Sequence, residues 1–267
     1  MLMREAVAVA LAAACLVIPS SPLAAQRTAD RPILIFTISG AYLDDVGLWS
    51  VSDQPVIDPA TGTLTDHFAL TRNVKRTIGA GFSGTYYKGS HLGITGEAFL
   101  MGLGYDDTCR LVAPPQAALN IDRCNSIDER ERSAAAVALT TGLIYRVTGD
   151  EFISPFTRVS AGILVNNQSP LRLFGLDSNG DELLIYDDEN TGTRLRPAFV
   201  LGIGTTVAAG RAYQIRWEVR DNIVGIQRIT SPTVQGQVPP NETAYKHIFS
   251  MNIGLDVILE RRPGRRY

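Results

Sequence analysis

Histidine and tryptophan are scarce in this chain of 267 residues, with three and two copies, and only three cysteines occur. So few ligands exclude a multi-ligand zinc framework. Charged residues make up only 19% of the chain and the net charge is −2, which argues against a nucleic-acid partner held by bulk electrostatics. Beyond the N-terminal leader, no segment offers 18 uninterrupted apolar residues, so no transmembrane helix is expected. No long segment carries convincing helical periodicity, which removes helix bundles.

What the chain has is a leader and a recurring alternation. Residues 1–25, MLMREAVAVALAAACLVIPSSPLAA, combine Arg4, an apolar run from Ala6 to Ile18 and a small-residue end. That is the layout of an export signal, with cleavage expected after Ala25 and a barrel domain over 26–267. Cys15 in LAAAC fits a lipoprotein cleavage site poorly. The mature chain then keeps Cys109 and Cys124, flanking CRLVAPPQAALNIDRC. In an oxidising compartment these two are expected to form a loop-closing disulfide.

In YQIRWEVRDN, residues 213–222, Tyr213, Ile215, Trp217 and Val219 alternate with Gln214, Arg216, Glu218 and Arg220. This is a strand with one apolar and one charged face. Similar runs occur at 33–42, 76–87, 92–105, 135–147, 153–165, 196–207, 213–226 and 247–259. Eight strands of this length suit a membrane crossing at a tilt. Their connections alternate: KGSH, TGDE and AAGRA are tight, whereas 43–75, 106–132, 166–194 and 227–246 are long and polar. Bacterial outer-membrane barrels have this rhythm, with short periplasmic turns and long outer loops. The expected fold is all-β, an eight-stranded antiparallel transmembrane β-barrel in the outer membrane.

Parity separates a face rich in Ile, Leu, Val, Phe and Tyr from a face of Gly, Ser, Thr and a few charges of both signs. A narrow barrel interior needs small residues, and charges there must pair. Glu97, Glu218 and Asp256 are therefore expected to face Arg146, Arg158, Arg216 and Arg220 in a plugged lumen. Tyr86, Tyr145, Tyr213 and Trp217 become girdle candidates on the lipid face.

The mature chain resembles the small eight-stranded outer-membrane proteins that include the barrel of outer-membrane protein A and outer-membrane protein X. The resemblance is carried by the strand and loop pattern and by NIGLDVIL in the last strand, which looks like the signal such families present to the barrel-assembly machinery. Family members usually end on an aromatic within that strand, whereas this chain continues with ERRPGRRY. The resemblance implies outer-membrane lipid, lipopolysaccharide and the assembly machinery as partners. It leaves any surface ligand open.

The function expected is non-enzymatic: envelope integrity or surface contact. The alternatives are a lipid-modifying barrel enzyme and a soluble lipocalin-like carrier. His67, His91 and His247 show no Ser-His-acid grouping, so no catalytic residue is assigned, and no cofactor or metal is expected. The acidic residues Asp177, Asp181, Glu182, Asp187, Asp188 and Glu189 surround Asn179-Gly180. They read as a solvated hairpin tip, because the spacing fails an EF-hand loop.

Overall fold

The computed structural model describes residues 32–57, 64–112, 120–122, 124–125, 132–148, 152–167, 172–176, 182–187, 193–210, 212–232 and 240–259. The leader and the Asn179-Gly180 turn lie outside the described residues. Twelve strands are present: β1 (Ile33–Leu43), β2 (Val46–Ile57), β3 (Leu64–Val74), β4 (Thr77–Tyr87), β5 (Leu92–Leu111) and β6 (Arg132–Arg146), followed by β7 (Ile153–Asn167), β8 (Arg172–Leu176), β9 (Glu182–Asp187), β10 (Thr193–Ala208), β11 (Tyr213–Ile229) and β12 (Asn241–Leu259).

Eight of them form a ring in the order β5-β4-β1-β12-β11-β10-β7-β6, and β6 returns to β5. All the pairings are antiparallel. Closure leaves no edge in the ring, as a sheet crossing lipid requires. Leu34 pairs with Leu259, so the first and last strands meet at the end that carries the tight turns.

The long segment expected at 43–75 is instead a β-hairpin. β1 passes into β2 across Asp44-Asp45, β3 passes into β4 across Lys75-Arg76, and β3 pairs with the upper part of β5 from Val74–Tyr105 to Phe68–Leu111. Register shifts after Gly47, Val51 and Val56 break the alternation of β2, which is why the run did not read as a strand. β5 likewise continues to Leu111, and β8 with β9 forms a separate two-stranded ribbon.

The Cys109–Cys124 disulfide ties the top of β5 to the segment that follows it. Because the ring pairing lies elsewhere, Cys109→Ser with Cys124→Ser is expected to fold, losing at most about 3 kcal/mol. Resistance to detergent unfolding on unboiled gels checks the fold. Free-thiol labelling of both cysteines in the unreduced wild type would contradict the bond.

Candidate functional site

Alternation sends every second side chain of the ring inward, and three layers result. Nearest the tight turns, Ile35, Tyr87, Ile144 and Phe156 form a buried apolar plug. Arg146 lies over the Tyr87 ring at 4.4 Å.

The middle layer is charged. Arg216 grips Asp256 (Nη2–Oδ2 3.0 Å), and the Thr37 hydroxyl donates to the same carboxylate at 2.7 Å. Glu97 lies between two guanidiniums, Arg158 and Arg220, at 2.5 Å from each. Arg220 also reaches Glu218 at 2.8 Å. Arg158, Arg216, Arg220 and Glu218 are each 2–3% exposed. Two arginines thus balance two glutamates beside a balanced Arg216–Asp256 pair. This pairing is what makes such deep burial of charge tolerable. Gly202 keeps room for it, since a Cβ there would collide with the Glu218 carboxylate.

Arg146, expected in this set, stands apart. Its described partners are the Tyr87 ring and the Gln214 side chain (3.4 Å), because its strand position puts it level with the lower plug.

The upper layer departs from the expected small, polar interior. Leu43, Leu48, Val51, Phe68, Leu70, Met101, Leu103, Tyr105 and Ile248 belong to one buried apolar cluster. The β2–β3 hairpin supplies much of it. Within it Arg72 forms a bidentate pair with Asp107 (2.6 and 2.8 Å) and lies 4.9 Å from the Tyr105 ring centre. Reading 43–75 as a loop leaves Arg72 unassigned, although Phe68, Leu70, Arg72 and Val74 alternate plainly.

The outward face is the reverse. Ile78 is 76% exposed, and Ile38, Phe82, Ile94, Leu143, Val159, Leu201 and Ile253 are also exposed. An apolar surface of this extent far exceeds the few hundred Å² usual on soluble proteins. On β12 it runs from Phe249 to Leu259, ten residue steps or about 34 Å along the strand. At a tilt of roughly 40° that is a band about 26 Å tall, the height of an outer-membrane barrel's apolar belt.

Charges mark its upper limit. Arg76 bonds Asp44 and Asp45 at 3.0 Å each, and His247 pairs with Asp221 at 2.7 Å. The Asp45 backbone N–H and Arg76 hold the Asp44 carboxyl below its ordinary pKa. Tyr86, Tyr145 and Tyr213 ring the lower limit, within two residues of their turns. Trp217 does not belong to this ring. It pairs with Ile253, near the middle of the band, where it faces lipid rather than headgroups.

The histidines are separated. His67 pairs with Asp53, His91 Nδ1 lies 2.9 Å from the Arg146 backbone oxygen, and His247 pairs with Asp221. Among the described residues no cluster of three or more His, Cys, Asp or Glu could hold a metal.

A closed ring of eight strands, charged within and belted with apolar residues outside, defines an integral outer-membrane β-barrel, in contact with the lipid of that membrane. No family model and no curated protein sequence matches the chain. Among solved structures it is similar to OprG of Pseudomonas aeruginosa, with 13% identity, a TM-score of 0.44, and 86% of this chain and 97% of that chain covered. It is also similar to the outer-membrane protein AlkL, with 13% identity, a TM-score of 0.43, and coverage of 92% and 99%. Ail of Yersinia pestis follows, with 10% identity, a TM-score of 0.40, and coverage of 86% and 99%.

Proposed function

We propose that this barrel is non-enzymatic and serves envelope integrity and surface contact, anchoring a stiff β-walled rim above the outer leaflet. The observation that carries this reading is the filled interior. An apolar plug, a paired charge layer and an upper apolar cluster succeed one another along the lumen. Eight strands leave an interior just wide enough for side chains to fill. β2, β3 and the upper parts of β5, β11 and β12 raise the wall beyond the charged boundary, and the disulfide braces its rim. Lipopolysaccharide is the proposed neighbour of that rim, and NIGLDVIL within β12 is the proposed contact for the assembly machinery.

Planar-bilayer recording tests the sealed lumen. The wild type is expected to show no stable ion conductance, whereas Glu97→Ala with Arg158→Ala, which removes two of the charged side chains that fill the central layer, is expected to leak. Steady conductance by the wild type would overturn the structural reading. Hydrolysis of a lipid by the purified wild type would overturn the non-enzymatic one.

A further inference from the structure

The lower two layers of the lumen hold one cation too many. Among the described residues, Glu97, Glu218 and Asp256 are balanced by Arg158, Arg216 and Arg220, and Arg146 is left over. Asp256, which pairs in register with Gln214, is already held by Arg216 and by the Thr37 hydroxyl. Arg146 is only 3% exposed and Tyr87 only 1%. Yet the Arg146 Nε and the Tyr87 hydroxyl have no hydrogen-bond partner among the described residues. Buried donors are paired as a rule, and a buried charge without a counter-charge is costly.

The fold brings these donors to one place. Arg146 ends β6, Tyr87 ends β4 two strands away around the ring, and Gln214 lies at the start of β11, three strands away in the other direction. The guanidinium stands 4.4 Å from the Tyr87 ring centre and 3.4 Å from Gln214 Oε1. It therefore occupies the middle of the lumen and does not lie back against its own wall. Its base is fixed, since the Arg146 N–H donates to the His91 carbonyl at 2.8 Å and His91 Nδ1 lies 2.9 Å from the Arg146 oxygen. Ile33, Ile258 and Gln214, each half-buried, border this end of the lumen beside the tight turns.

We infer that the periplasmic end of the lumen binds one small aliphatic monocarboxylate. Its oxygens lie on the Arg146 guanidinium and the Tyr87 hydroxyl, and its alkyl end lies toward Ile33 and Ile258. A carboxylate matches the planar guanidinium fork and supplies the one missing negative charge. A phosphate group, with nearly two charges at neutral pH, overcompensates a single desolvated cation. The site lies below the Glu97 layer and does not depend on the sealed lumen, so conductance by the wild type would leave it standing.

The test uses the full chain folded in a non-ionic detergent, with acetate as the probe. Saturation-transfer NMR on the acetate methyl group is expected to show binding that propionate displaces and that equimolar chloride or phosphate does not. Acetate should also raise the urea midpoint of unfolding relative to chloride at equal ionic strength, because it binds the folded chain. Tyr87→Phe keeps the ring under the guanidinium and should weaken binding at least about fivefold. Arg146→Met should weaken it at least about tenfold and abolish the acetate effect on the midpoint, while the protein stays heat-modifiable on gels. Arg146→Lys, which keeps the charge and loses the fork, serves if Arg146→Met fails to fold, and should also bind more weakly. Equal acetate binding by the wild type and the Arg146 variants, or chloride or phosphate binding as tightly as acetate, would overturn the site. So would a wild type whose saturation signal and urea midpoint do not respond to acetate.

Discussion

Glu97→Gln is expected to destabilise the barrel by about 3–5 kcal/mol, the cost of breaking a buried ion pair by removing one partner. The amide keeps the shape of the carboxylate, but it removes the charge and turns one acceptor oxygen into an N–H donor facing a guanidinium. Among the described residues Glu97 is the carboxylate that pairs with both Arg158 and Arg220, at 2.5 Å from each. Without it two buried guanidiniums share Glu218 alone, and the Arg158–Glu97 pair is lost. Glu97→Met with Arg158→Met should be milder than Glu97→Gln. It removes one charge of each sign and leaves Arg220–Glu218 balanced. Urea unfolding in liposomes, followed by gel mobility without boiling, gives the comparison. If Glu97→Gln is neutral, or the double variant is the worse of the two, charge balance does not govern this layer.

Trp217→Arg is expected to cost about 2–4 kcal/mol, the range for Arg at the bilayer midplane on a barrel's lipid face. Trp217 is 49% exposed and pairs with Ile253, midway between Phe249 and Leu259 on the neighbouring strand. Tyr213→Arg provides the internal comparison. Tyr213 pairs with Val257 beside the lower turn, so the same charge should cost about 0–1 kcal/mol near the interface. Equal costs at the two positions, measured by the same urea unfolding, would mean that Trp217 is not deeper than Tyr213.

Much of this was legible in the sequence because a barrel wall has strict period two. In YQIRWEVRDN that period separates Trp217 and Val219 from Glu218 and Arg220 without any tertiary information. The eight alternating runs set the strand count, and the alternation of tight and long connections sets which end carries the loops. Neighbours across the lumen were not legible. Glu97 and Arg220 are 123 positions apart, and only the ring closure brings them together. For the same reason nothing in the chain separated Arg146 from the other arginines, since its height depends on register. Bulges hide β2, and with no visible partner strand the alternation of β3 does not by itself reveal the hairpin, the upper apolar cluster or the Arg72–Asp107 pair. Trp217 was grouped with the tyrosines by residue type, although it lies four positions beyond Tyr213 on the same strand.

The two-faced wall is tested most directly by fluorescence quenching of Trp217 in lipid. With Trp49→Phe, Trp217 is the only tryptophan, and the protein is reconstituted in bilayers whose acyl chains carry bromine at defined depths. Bromines near the bilayer centre should quench Trp217 most strongly, and aqueous iodide should leave it bright. Strong quenching by iodide with no response to brominated chains would place the apolar face inside and the charged face outside, and would contradict the membrane barrel.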